Sequence, residues 1–340
     1  MCRFFFWAGI CLIILLPAGC AVDKAADTGA AQTVNVVTTV YPLADIVKQL
    51  GGERVAVSCL LPAGASPHTY EPTVEQAKLI AEAQLFVFVG AGLDEWALKL
   101  TEAADRELSV VKLADHLDLL EPGQYHHLNQ SHEENTANAD YDREDHAAEQ
   151  NEHVAGAEPG PGYYGHIHGP ADPHFWLDPL LVRDKISPRL YEELAALSPE
   201  HEAYFEKRLD EFRRQLNLLH QEIAAAVTGF SKHDFIAFHS AWRYFARRYG
   251  LHEAAVVAEF PGQEPSAGWV AELVELVGDD QIGAILTEPQ FSPALAERIA
   301  AESGIKVLVV DPLGGENLPG RETYLEMMRF NLSAFKEALE

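Results

Sequence analysis

The sequence predicts an α/β protein: two α/β lobes with mostly parallel sheets, joined by one long rigid helix. Three observations carry this. Short β-branched and apolar runs alternate with stretches of helical periodicity, the rhythm of parallel β–α packing. That rhythm runs over residues 34–112, stops, and restarts at 234, with one uninterrupted amphipathic stretch between the blocks. The 340 residues, 48% of them apolar, suffice for two cores.

The elements follow in order. Residues 1–3 are a short charged start, and 4–16 an apolar run too short to span a bilayer comfortably. The run closes on Pro17, Ala18 and Gly19, small residues of the kind that end a secretory signal. A small pair followed at once by cysteine looks like a bacterial lipoprotein signal. Residues 1–19 are then a signal peptide, Cys20 the lipidated first residue, and 20–32, rich in Ala, Asp and Thr, a flexible tether. The chain is expected outside the cytoplasm, anchored by lipid to the cell membrane. Three of the four cysteines fall in this segment, so Cys59 alone is left in the folded part and no intramolecular disulfide is available there.

The first lobe is expected over 33–199. Strands are predicted at 34–40, 54–60, 85–89 and 108–112, and helices at 42–50, 73–83 and 93–104. Residues 121–173 fit neither lobe. They hold seven histidines, many acids, a Gly/Pro-rich stretch and a single basic residue, Arg143, and too few apolar side chains to fold alone. The linking helix occupies 200–229. Within it Phe205, Leu209, Phe212, Leu216, Leu219, Ile223 and Val227 recur in steps of three and four and so share one stripe. The second lobe, 230–340, has predicted strands at 234–238, 254–258, 283–287 and 306–310, with helices at 241–249, 267–277, 293–302 and 322–339.

Charge narrows the partners. Twenty-five Lys and Arg against 52 Asp and Glu leave a formal charge of −27, which excludes nucleic acid and favours a cation. Four chemistry-bearing residues sit at or just beyond the carboxyl ends of predicted strands or beside the insertion: His68, His174, His239 and Asp311. Ligands of open α/β sheets bind beyond those strand ends. Three imidazoles and a carboxylate make a tetrahedral set suited to zinc. Spacing alone leaves alternatives open, since a lone histidine also caps helices, and three histidines plus water would make a catalytic zinc. No HExxH is present, and no Ser or Cys nucleophile stands beside a suitable base.

At these residues the chain resembles a known family, the metal-specific solute-binding proteins (cluster A-I) of zinc and manganese ABC importers. The resemblance lies in Ser66-Pro67-His68-Thr69-Tyr70-Glu71-Pro72-Thr73, then Asp172-Pro173-His174-Phe175-Trp176-Leu177-Asp178-Pro179, and Phe238-His239-Ser240-Ala241-Trp242-Arg243-Tyr244-Phe245. Thr287-Glu288-Pro289-Gln290 and Asp311-Pro312-Leu313-Gly314 follow in family order. The resemblance implies two lobes with metal held between them, His68 and His174 from the first, His239 and Asp311 from the second. It implies a non-enzymatic receptor, expected to act as a monomer, that delivers Zn²⁺ to an ABC permease. His239, where manganese members carry Glu, favours Zn²⁺ over Mn²⁺. Glu71 and Glu288 are expected to cap helices or to accept hydrogen bonds behind the ligands. His166 and His168 form the insertion's most plausible auxiliary metal pair. A zinc hydrolase, a metal-binding adhesin and a storage protein are the readings from other classes.

Overall fold

The structure, a computed structural model, describes residues 33–102, 107–121, 171–258, 265–278 and 281–340. The first lobe runs β1 (Val34–Thr38), α1 (Tyr41–Gly51), β2 (Val55–Cys59), α2 (Val74–Glu82), β3 (Leu85–Phe88), α3 (Leu98–Thr101) and β4 (Ser109–Lys112). After the insertion come α4 (Pro179–Leu181), a π-type turn over Val182–Ile186, α5 (Ser187–Leu197) and the 26-residue α6 (Glu202–Val227). The second lobe runs β5 (Asp234–Ala237), α7 (Arg243–Tyr249), β6 (His252–Val256), α8 (Ala267–Val277), β7 (Ile282–Thr287), α9 (Ala294–Ser303), β8 (Lys306–Val309) and α10 (Tyr324–Leu339).

Both sheets are parallel and four-stranded, with the same order: β2-β1-β3-β4 and β6-β5-β7-β8. Residue alternation sorts their faces. Val34 and Val36 of β1 point into a central core with Leu85 and Val87, whereas Val37, Phe86 and Phe88 face an outer core with Ile80 of α2. In the second sheet Phe235 and Ala237 join the central core, and Ile236 and Ile285 pack outward with Leu273 of α8 and Ile299 of α9.

The linking helix fills the middle. All seven residues of its apolar stripe are buried in the central core, while Leu218, off the stripe, is 61% exposed. At 1.5 Å per residue α6 is about 39 Å long, and it packs against α1 and α5 on one side and α10 on the other. Further bonds tie the lobes. Asp45 of α1 accepts from the Tyr324 amide at 2.8 Å, and the Tyr324 hydroxyl donates to the Trp176 carbonyl at 2.7 Å. The Arg248 guanidinium of α7 pairs with Asp178 at 2.7 Å.

Two regions differ from expectation. The helix predicted over 93–104 is reduced to a 3₁₀ turn, Glu95–Ala97, and the single turn α3. Asp94 is turned inward there, accepting from the Val89 and Gly90 amides at 2.8 Å each, after a loop in which Gly90, Ala91 and Gly92 all have positive φ. Helices α4 and α5 had no predicted counterpart. Cys59 is half-buried, its thiol pushed up to about 11 by burial, and it is the free cysteine of the described residues. No helix of the described residues is long and apolar enough to cross a membrane. Cys20, the signal segment and the tether lie outside the described residues.

Candidate metal centre

Three segments bring three imidazoles together at the carboxyl ends of the strands. His68 lies on the loop after β2. That loop is fastened by the Trp96 indole, which donates to the Pro67 carbonyl at 3.1 Å, and by Gln76, which donates to the Tyr70 hydroxyl at 2.7 Å. His174 opens a 3₁₀ turn, Phe175–Leu177, where the chain returns from the insertion. His239 lies two residues beyond β5. One nitrogen from each of His68, His174 and His239 lies within 4.8 Å of the others.

Two of the rings are oriented by carboxylates. Asp172 Oδ1 accepts from the His174 amide at 3.0 Å and from Nδ1 at 2.9 Å. Glu288, directly after β7, accepts from His239 Nδ1 at 2.7 Å. A carboxylate has no proton to give, so each Nδ1 carries a hydrogen, and in the neutral ring each Nε2 keeps its lone pair. The two Nε2 atoms face each other at 3.4 Å. At that distance the two atoms can share one proton, or a cation that displaces it can take both lone pairs. Tetrahedral zinc with Zn–N bonds of about 2.0–2.1 Å separates its nitrogens by about 3.3–3.4 Å.

The field around the rings is negative. Burial pulls the His239 imidazole down, but Glu288's charge and hydrogen bond, helped by Glu253 and Asp172, outweigh it and hold the ring above the ordinary histidine range. Burial raises the Glu288 carboxyl in turn, offset in part by His239. The cavity between the rings measures about 10 Å³, room for roughly one water-sized particle, and Trp176, Ser66 and Gln290 are among the residues of its wall.

Asp311 is not brought into this group. Its Oδ1 accepts from the Leu313 and Gly314 amides at 3.0 and 2.9 Å, and its Oδ2 holds Arg321 at 2.9 Å. Asn331 brackets its backbone at both amide and carbonyl. The adjoining Pro312 and Leu313, rather than Asp311, line the cavity. His166 and His168 lie outside the described residues. Asp172 was missed as a partner, although its place two residues before His174 was the available signal. Among the other histidines, His220 bonds the Tyr249 hydroxyl at 3.3 Å and His252 faces Asp234 at 3.3 Å, away from the site.

Residues 36–338 match the family described as zinc-uptake complex component A, periplasmic. The chain is 30% identical over 337 residues to the zinc-binding lipoprotein AdcA of Streptococcus pneumoniae, covering 98% of this chain and 60% of AdcA. It therefore spans less than two thirds of that relative's length. It is 26% identical over 342 residues to the high-affinity zinc uptake system protein ZnuA of Bacillus subtilis, covering 98% of both. A crystal structure of ZnuA superposes with a TM-score of 0.72 at 27% identity, covering 91% of this chain and all of that one.

Proposed function

We propose, from the fact that this chain belongs to the zinc-uptake complex component A family, that it is an extracytoplasmic receptor which captures Zn²⁺ and delivers it to the permease of an ABC-type importer. His68, His174 and His239 are the capturing ligands. The observation that carries the reading is the pair of carboxylate-backed Nε2 atoms 3.4 Å apart, the separation zinc imposes on two of its nitrogens.

The cargo is a bare ion. A space of about 10 Å³ takes no chelator, and it leaves no room for a substrate beside the metal, which supports a receptor over a zinc hydrolase. Three imidazole ligands support Zn²⁺ over Mn²⁺. Because the ligands come from both lobes, delivery requires the permease to part them. Anchoring through lipid on Cys20 keeps the receptor beside that permease, and it works there as a monomer.

Metal analysis with competition titration of the purified chain tests this. One tight zinc per chain is expected, with affinity falling more than about 100-fold in His239→Ala, beyond what losing a group behind a ligand costs. Preference for Mn²⁺, or binding indifferent to His239, overturns the reading.

A further inference from the structure

Ser66 and Gln290 line the same cavity, and each carries a buried polar atom, Oγ and Oε1, with no hydrogen-bond partner among the described residues. Buried polar atoms are nearly always paired, so two orphans facing one small space mark a place where something polar belongs. Their placement is built in. Ser66 stands two residues before His68, and Gln290 two residues after Glu288, each across a proline whose ring fixes the intervening φ. The loop that carries His68 therefore also sets one acceptor, and the loop that carries Glu288, the carboxylate behind His239, sets the other.

We infer that Ser66 and Gln290 are positioning residues that accept the two protons of a water molecule bound to the captured ion; this rests on the zinc-capture reading above. Three imidazoles leave one tetrahedral position open. The carboxylates around the rings are already engaged, Asp172 by His174, Glu288 by His239, and Asp311 by Arg321 and two backbone amides. A water in that position gives its lone pair to the metal and has two O–H bonds left to donate. Cation-bound water is a strong donor, and the serine and glutamine oxygens are its two acceptors. With room for roughly one water-sized particle, the cavity has no space for a second water, so coordination closes at four. Ions that require six oxygen ligands find no space for them, which makes these two residues determinants of specificity as well as affinity.

The test uses the full chain, with Co²⁺ as the visible probe and Zn²⁺ by competition. The parent should bind one Co²⁺ with the intense absorption of a four-coordinate ion. The double variant Ser66→Ala/Gln290→Met should still bind one ion, but about 10–100-fold more weakly and with an altered spectrum. Gln290→Glu, which keeps an acceptor oxygen, should restore parent-like affinity. Metal-free, the double variant should melt no lower than the parent, because it removes two unpaired buried oxygens. Unchanged affinity and spectrum in the double variant, while His239→Ala abolishes binding, would overturn this inference alone, and so would a lower metal-free melting temperature. Binding indifferent to His239 as well would remove the capture reading and this inference with it.

Discussion

The two sheets share one strand order and place a buried carboxylate at the same point of it, where the chain leaves the central strand pair. In the first lobe Thr39, just after β1, donates its hydroxyl to Asp94, reached by the turn after β3. In the second, His239, just after β5, donates Nδ1–H to Glu288, directly after β7. Asp94 accepts two backbone amides besides the Thr39 hydroxyl, and nothing polar is left over to face a ligand. Glu288 holds an imidazole whose other nitrogen faces the cavity. The same topological switch point thus makes a turn in one lobe and half of the candidate metal site in the other. What differs is how many donors the backbone offers the carboxylate, and whether its side-chain partner has a second polar end.

The difference can be broken by exchanging the two losses. Asp94→Ala strands three buried donors at about 1–3 kcal/mol each, so thermal or denaturant unfolding should show a loss of about 3 kcal/mol or more. Zinc stoichiometry in the surviving folded fraction should stay at one. Equal damage from Glu288→Ala in unfolding would erase the contrast. The main cost of Glu288→Ala should instead be metal affinity, about 10–100-fold by competition titration, because His239 loses its fixed tautomer and orientation.

The same pair sets the pH dependence. Protons compete with zinc for His239, and Glu288 holds its pKa above the ordinary histidine value of about 6.5. Zinc affinity should therefore fall as pH drops through that raised value, beginning at higher pH than for an ordinary histidine. In Glu288→Gln, which removes the charge, the fall should move to lower pH; titrations across about pH 5 to 8 that coincide for the two proteins would contradict this. A smaller effect is expected on the far side of the site. Asp311→Ala should change zinc affinity only a few-fold, as the carboxylate is committed to Arg321 and the loop amides, whereas a loss as large as that of His239→Ala would return Asp311 to the ligand set. Smallest of all, deletion of residues 126–168 should leave one tight zinc in equilibrium titration.

Much of this was legible in the chain. The alternation of strand and helix marked both lobes, and the seven-residue stripe of α6 is the face the structure buries. His68, His174 and His239 could be singled out because each follows a strand or the insertion, where α/β sheets present their ligands. Other features depend on distant partners. Asp311 read as a ligand because its position after β8 is right; only the fold brings Arg321 and the amides of residues 313 and 314 onto it. The helical pattern over 93–104 was overridden by Asp94, whose bonds to Val89 and Gly90 close a turn that periodicity does not encode. Ser66 and Gln290 have ordinary side chains for loops, and their significance lies in lacking a partner among the described residues, which only three dimensions reveal.

The central claim is that carboxylate-backed imidazoles from both lobes capture one bare zinc ion. X-ray absorption at the zinc edge, on the one-to-one complex of the purified chain, tests it most directly. Four light donors are predicted, three of them imidazole nitrogens at about 2.0–2.1 Å and the fourth an oxygen. A shell of five or six oxygen-rich donors, or one with fewer than three imidazoles, would contradict it.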